Sequence, residues 1–248
     1  MNFGGSRLGF WFRYPLGLPD RALSNNNVLV FYEDNGLYND VDPATQIWPI
    51  IQAQEIALGM NPIFIVGYNN LPEELTAFSH VWDIGYNSPY ISPIIPGPPN
   101  PTDKLLSYLQ AGGGFFMLGE NSGFFQRDNA IETFVGAAGG GTITYDTSLD
   151  PQTQYTLSVQ PDFLIANQDN TVTFAAPGLF DAIGTGTSMT TSAYPGAVYY
   201  PAVCWETGSL TNAPKGCIVS VLDINFIAEG AYLNTNFVDN IILTMNQR

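Results

Sequence analysis

The chain has 248 residues, 45% of them hydrophobic and 13% aromatic, enough to build the core of one sizeable α/β domain and too much for a disordered chain. Only 12% are charged, and the formal charge of −15 arises because bases are scarce, lysine occurring only at Lys104 and Lys215. No basic stripe is on offer to phosphates, which speaks against nucleic acid and anionic membranes as partners, and no apolar run approaches the ~18 residues of a membrane span. A surface poor in lysine and rich in Asn, Thr, Ser and Tyr points to an extracellular or cell-surface setting, with the cytoplasm as the alternative. The first residues lack the basic and apolar regions of a signal peptide, so the expectation is a cytosolic chain or a mature form without its leader.

Residues 1–27 form an aromatic arm carrying Phe10, Trp11, Phe12, Tyr14, Leu16 and Leu18 among glycines and prolines. It has no helical or strand period, and Pro15 and Pro19 block regular structure. Such a stretch either packs on its own domain or docks on a neighbouring subunit, because left open it would be a large apolar patch. Val28 to Tyr32 is a β-branched apolar run, a buried parallel strand. A helix follows at about 43–58, with Asp42 as its cap, Pro43 in its first turn and Gly59 at its end.

Pro62 to Tyr68 reads as a second strand, 71–78 as a short helix or turn, and His80 to Tyr86 as a third strand leading into a proline-rich loop through Pro101. Thr102 or Asp103 opens a helix to Ala111, Phe115 to Leu118 is a fourth strand, and a further helix is expected from Asp128, leaving 121–127 as loop. The texture changes over 142–203, where Thr142–Tyr145, Tyr155–Val159, Thr171–Phe174 and Ala197–Val203 suggest a β-rich insertion without good helices. The chain rejoins the sheet at 217–224 and closes with a helix at about 234–246. The alternation predicts a mostly parallel, flavodoxin-like sheet flanked by helices, with right-handed crossovers. Cys204 and Cys217 bracket a plausible hairpin loop, and in an oxidising compartment a disulfide between them is expected, worth roughly 3 kcal/mol if unstrained.

Ligands of open α/β sheets bind beyond the carboxyl ends of the strands. Those ends supply Glu33 and Asp34, Asp83, Glu120 with Asn121, and Asp223 with Asn225. Five carboxylates on one rim without a strand-end base would raise one another's pKa, or would hold a hard cation such as Ca²⁺. The bland reading has them capping turns and helix ends. Zinc is not expected, since two cysteines and the lone His80 do not make four ligands.

The corner Gly119-Glu120-Asn121-Ser122-Gly123, set between a strand and a helix, resembles the elbow of the class I glutamine amidotransferase-like fold and its ThuA and DJ-1/PfpI relatives. The resemblance covers roughly 28–141 and 217–246. It implies a nucleophilic Cys at the centre of the elbow and a base His after a later strand. Here Asn121 stands at the first position, and Asp223-Ile224-Asn225-Phe226 follows the later strand with no His; the only histidine, His80, begins the third strand. Neither Cys204 nor Cys217 lies in an elbow, and Ser122 has no base beside it in the sequence, so no nucleophilic residue is assigned.

Two functions fit this pattern. The first is a non-catalytic structural or interaction protein, a homo-oligomeric subunit assembling through the N-terminal arm. The second is a hydrolase, carbohydrate-active or metal-dependent, in which Glu120 pairs with Asp83 or Asp223 across a glycosidic bond and Tyr32, Trp82, Tyr86 and Phe124 stack on a glycan.

Overall fold

The computed structural model describes residues 25–34, 41–87, 101–146, 153–164, 171–228 and 230–247. Residues 1–24 of the aromatic arm and 88–100 of the proline-rich loop lie outside them, and the arm ends earlier than expected, since Asn27 already belongs to the first strand. In chain order the strands are β1 (Asn27–Tyr32), β2 (Asn61–Val66), β3 (His80–Asp83), β4 (Gly114–Leu118), β5 (Ile143–Tyr145), β6 (Tyr155–Ser158), β7 (Thr171–Phe174), β8 (Phe180–Ile183), β9 (Thr187–Ser188), β10 (Ala202–Trp205) and β11 (Cys217–Val221). The helices are α1 (Trp48–Ala57), α2 (Pro101–Gln110), α3 (Phe125–Ala138) and α4 (Thr235–Gln247).

Seven strands form one sheet in the order β2-β1-β3-β4-β11-β10-β9. The first five are parallel, and β10 and β9 continue the sheet antiparallel. The parallel part therefore has the flavodoxin-like arrangement, with its order reversing between β1 and β3. This is the mostly parallel α/β sheet expected from the alternating pattern.

Strand alternation splits the core in two. Val28, Val30, Trp82, Phe116, Val219 and Val221 face α1 and α4 through Ile51, Ile241 and Ile242, with Ile47 from the turn before α1. Leu29, Phe31, Val81, Phe115, Met117 and Ile218 face α2 and α3 through Leu105, Leu109, Ile131 and Phe134. Because β4 and β11 are covered on both faces, all five residues of each are buried and both read as mainly apolar runs, the one hydroxyl, Ser220, donating to the Met117 carbonyl at 3.0 Å. Each fully buried Phe or Ile there is worth about 1.5–3 kcal/mol relative to exposure.

Local signals set the helix ends. Asp42 accepts from the Ala44 N–H at 2.9 Å, Pro43 opens a wide helical turn through Ile47, and α1 continues from it. Helix α3 ends on Gly139 at φ +91°, a left-handed position that a side chain would strain. Helix α3 also begins earlier than expected, at Phe125, because Asn121 accepts from the Gly123 N–H at 2.9 Å and starts a tight turn that runs straight into it. Among the described residues no helix is long and apolar enough to cross a membrane.

The segment after α3 is β-rich, with β5 pairing β8 and β6 pairing β7 in two small antiparallel sheets. Its last expected strand begins later than predicted, at Ala202, and joins the main sheet. The expected disulfide is corrected: Cys204 and Cys217 are buried free thiols with sulfurs 3.8 Å apart. In the β10–β11 register Cys204 lies opposite Val219, so Cys217 is its diagonal neighbour. Diagonal positions are separated by about 7–8 Å, beyond the Cα spacing a disulfide tolerates. Thiol titration of the denatured, unreduced protein is expected to find two reactive sulfhydryls; finding none would mean that the bridge forms.

Candidate functional site

The carboxyl ends of β1, β3, β4 and β11 bring the strand-end acids to one rim. They do not form one ring of five. Glu33 accepts from the Tyr68 N–H at 2.6 Å, fixing the turn after β2. Asp34 lies close enough to Tyr32 for its charge to help raise that phenol, after burial.

Asp83 is fully buried and has a counter-charge that the sequence reading missed. Arg127 in the first turn of α3 reaches back over the end of β4, donating from Nη1 to Asp83 Oδ2 at 3.0 Å and from Nε to the Leu118 carbonyl at 2.6 Å. The Tyr68 hydroxyl donates to the same Asp83 oxygen at 3.1 Å, and the Gly85 N–H donates to the other at 3.1 Å. Burial pushes the Asp83 carboxyl up and the Arg127 guanidinium opposes that shift. The expectation of a rim without a base fails here, because leaving 121–127 as loop hid a helical arginine.

The second group is Glu120, Asp223 and Asp128. Glu120 accepts from the Ile224 N–H at 2.9 Å and from the Asn121 side chain at 2.9 Å, tying β4 to the turn after β11. Asp223 accepts from the Asn225 N–H at 2.5 Å and, on its other oxygen, from the Ala175 N–H at 2.7 Å. Asp128 accepts from the Glu120 N–H at 3.4 Å, while its second oxygen is buried without a hydrogen-bond partner. Burial, and then the neighbouring Asp223 charge, hold Glu120 well above the usual carboxylate range. Burial lifts Asp128 similarly and raises Asp223 to about 6.

What closes this rim is the insertion. The turn following β7 lies across the ends of β4 and β11: Ala175 and Ala176 donate to Asp223, and the Gly178 N–H donates to the Leu222 carbonyl at 2.7 Å. Gly178 packs so tightly that an added Cβ would fall 2.4 Å from the Glu120 carbonyl oxygen. Glu120 is 3% exposed and Asp223 0%. Among the described residues no group of three His, Cys, Asp or Glu side chains is arranged to hold a metal ion, so the expected five-carboxylate Ca²⁺ site is not assembled.

The aromatic platform expected for a glycan is corrected as well. Trp82 and Tyr86 are core residues, Trp82 packing 4.5 Å from Phe116 and Tyr86 5.5 Å from Phe124 between ring centroids. Asn121, at the elbow centre, serves as the turn cap already described, and Ser122 follows it within that turn.

His80 lies at the opposite, amino end of the sheet. Its Nε2 is 2.6 Å from Glu55 Oε1 and its Nδ1 is 3.0 Å from Ser79 Oγ, while Trp82 Nε1 donates to the same Glu55 oxygen at 2.8 Å. The Ser–His–Glu sequence of contacts has the order of a hydrolytic triad. Ser79, His80 and Glu55 are 2%, 0% and 0% exposed, and the Ser79 hydroxyl donates to the Asn27 carbonyl at 3.1 Å, so the trio fastens α1 to β1 and β3.

No protein-family model matches the chain, and no curated protein matches it either. Several solved structures are similar in fold. The mmIFT52 N-terminal domain superposes with a TM-score of 0.56 at 11% identity, over 87% of this chain and 95% of that one. The cytoplasmic protein STM3548 from Salmonella typhimurium gives 0.54 at 14%, over 88% and 98%. A protein described as ThuA-like from Bacteroides uniformis gives 0.49 at 12%, over 94% and 93%. At these identities the likeness is one of fold. It defines the chain as an α/β protein with a mostly parallel, flavodoxin-like sheet.

Proposed function

We infer that this chain is a non-catalytic structural or interaction protein: an amidotransferase-like domain used as a building block, self-associating through its N-terminal arm. One observation carries the reading. The elbow rim is closed by the chain's own backbone, with Glu120 held by the Ile224 N–H and Asp223 by the Ala175 N–H, both side chains out of reach of solvent. Asn121 and the absence of a histidine after β11 remove the nucleophile and base that the resemblance implies.

The setting follows two opposed signals. The lysine-poor surface favours an extracellular or cell-surface location, whereas unbridged Cys204 and Cys217 suit a reducing compartment, as does the likeness to a protein described as cytoplasmic. Oxidation state in freshly isolated protein separates the two.

Deleting residues 1–20 is expected to convert an associated species into a monomer, read by light scattering; an unchanged mass would remove the arm from the assembly. One feature keeps the hydrolase as a second reading, the raised and mutually interacting Glu120 and Asp223 carboxyls. Turnover of a glycan by the wild-type chain, abolished in Glu120→Gln, would establish it, and no turnover by the wild type would end it.

A further inference from the structure

Among the described residues, strand β2 is the last strand of the sheet and pairs only with β1. The Asn61 N–H donates to the Asn26 carbonyl at 2.7 Å and the Gly67 N–H to the Tyr32 carbonyl at 2.8 Å, so residues 61, 63, 65 and 67 direct their amides toward β1. Positions 62, 64 and 66 consequently face away. Pro62, with no N–H to offer, occupies one of them, as a proline in an edge strand should. Phe64 and Val66 thus present their amides outward, with no strand pairing to them among the described residues, and Pro62 and Phe64 present their carbonyls. The Val66 carbonyl accepts from Asn70 Nδ2 at 2.6 Å.

The side chains around this edge are unusually apolar for a free one. Ile63 is 41% and Val66 37% exposed, and at the end of α1, where the chain turns into β2, Ile56 is 57% and Leu58 37% exposed. The strand carries no charged residue. Natural edges are blunted by lysines, bulges or covering segments, and an uncovered apolar edge is a template for another chain.

We propose that the occupant of the β2 edge is residues 7–14 of the arm of a second copy, added as an extra strand; this rests on the self-association reading above. Although the arm as a whole has no period, Arg7 to Tyr14 alternates: Leu8, Phe10, Phe12 and Tyr14 share one side, and Arg7, Trp11 and Arg13 the other. That is the pattern of strand addition, in which backbone bonds hold the segment and alternate side chains fill pockets.

Charge points to a second copy. Residues 1–24 hold Arg7, Arg13 and Arg21 against Asp20, a net of +2, which leaves −17 of the total −15 on the remainder. Two such acidic bodies repel, and a contact between them is eased when it is made by the basic segment of one. The reach suffices: 24 residues span at most about 80 Å, whereas a domain of this size has a radius of gyration of about 17 Å.

The test is hydrogen exchange at the Phe64 and Val66 amides in the full chain, in the chain lacking residues 1–20, and in Ile63→Lys, with mass measured by sedimentation in parallel. Expected are protected amides in the associated full chain, protection that falls on dilution together with the mass, and loss of both in the truncated chain. Ile63→Lys, placed at an exposed position, should keep the native circular dichroism and weaken association about tenfold or more. Fast exchange at both amides in an associated full chain would overturn the β2 assignment and leave self-association standing. Protected amides in a monomer would place the chain's own arm there and overturn the role of a second copy. A monomer with fast-exchanging amides would overturn both readings, and association unchanged in Ile63→Lys would overturn the assignment alone.

Discussion

Replacing Arg127 with methionine is expected to destabilise the protein by about 3–5 kcal/mol, the usual loss when one member of a buried ion pair is removed. The guanidinium is fully buried, and its loss strips Asp83 of its counter-charge and the Leu118 carbonyl of its Nε donor. Burial already pushes the Asp83 carboxyl up, and without the opposing guanidinium it would be pushed up further, which favours its neutral form and limits the loss. Asp83→Asn in the same chain should recover part of it, since the variant no longer carries a lone buried charge. Urea denaturation of the two single variants and the double variant measures the coupling. A loss under ~1 kcal/mol for Arg127→Met would show that the pair is not what holds α3 over the end of β4.

The second large effect is on pH dependence. Asp223 has a folded pKa of about 6 against an ordinary value of 3.8, and Glu120 and Asp128 are also raised by burial. A carboxyl with a raised folded pKa binds its proton more tightly in the folded state than in the unfolded one. Its contribution to stability is complete below about pH 4 and is lost as pH rises through the folded value. For Asp223 the window is about pH 4 to 6, and a shift of roughly two units corresponds to about 3 kcal/mol. Glu120 and Asp128, raised in the same direction, add to the decline. Stability by urea denaturation should therefore fall between pH 4 and pH 7, opposite to the acid lability of proteins whose carboxylates are held by salt bridges. Stability that rises across this interval would mean that the rim carboxyls are hydrated or paired in solution.

Much of the sheet was legible in the chain because burial on both faces makes its central strands mainly apolar. Phe115 to Leu118 and Ile218 to Val221 could hardly be anything but central strands, and β2 was legible as a strand through Ile63 to Val66. The elbow was legible from glycines and the strand–turn–helix order. What the sequence hid was tertiary. Arg127 is nine residues beyond Leu118, and only a helix beginning at Phe125 turns it back onto Asp83. Its one sequence signal was rarity, as one of seven bases in the chain.

The disulfide misled for a related reason. Spacing along a hairpin suggested proximity, but register decides whether two cysteines are opposite or diagonal, and a loop sequence does not state its register. The closing of the rim by Ala175 and Gly178 was invisible too, since it depends on where an insertion folds back rather than on any residue type in it. Trp82 and Tyr86 looked available to a sugar because they neighbour strand ends; Trp82 packs inward from β3 against Phe116, and Tyr86, in the turn after it, is held inward by Phe124 and by its hydroxyl donating to the Val41 carbonyl at 3.1 Å.

The proposed self-association of this closed-elbow domain is tested most directly by the mass of the full chain in solution. Sedimentation across micromolar concentrations should give a multiple of the 27.0 kDa chain that dissociates on dilution and is absent when residues 1–20 are removed. A full chain that stays at 27.0 kDa over the whole range would contradict the account.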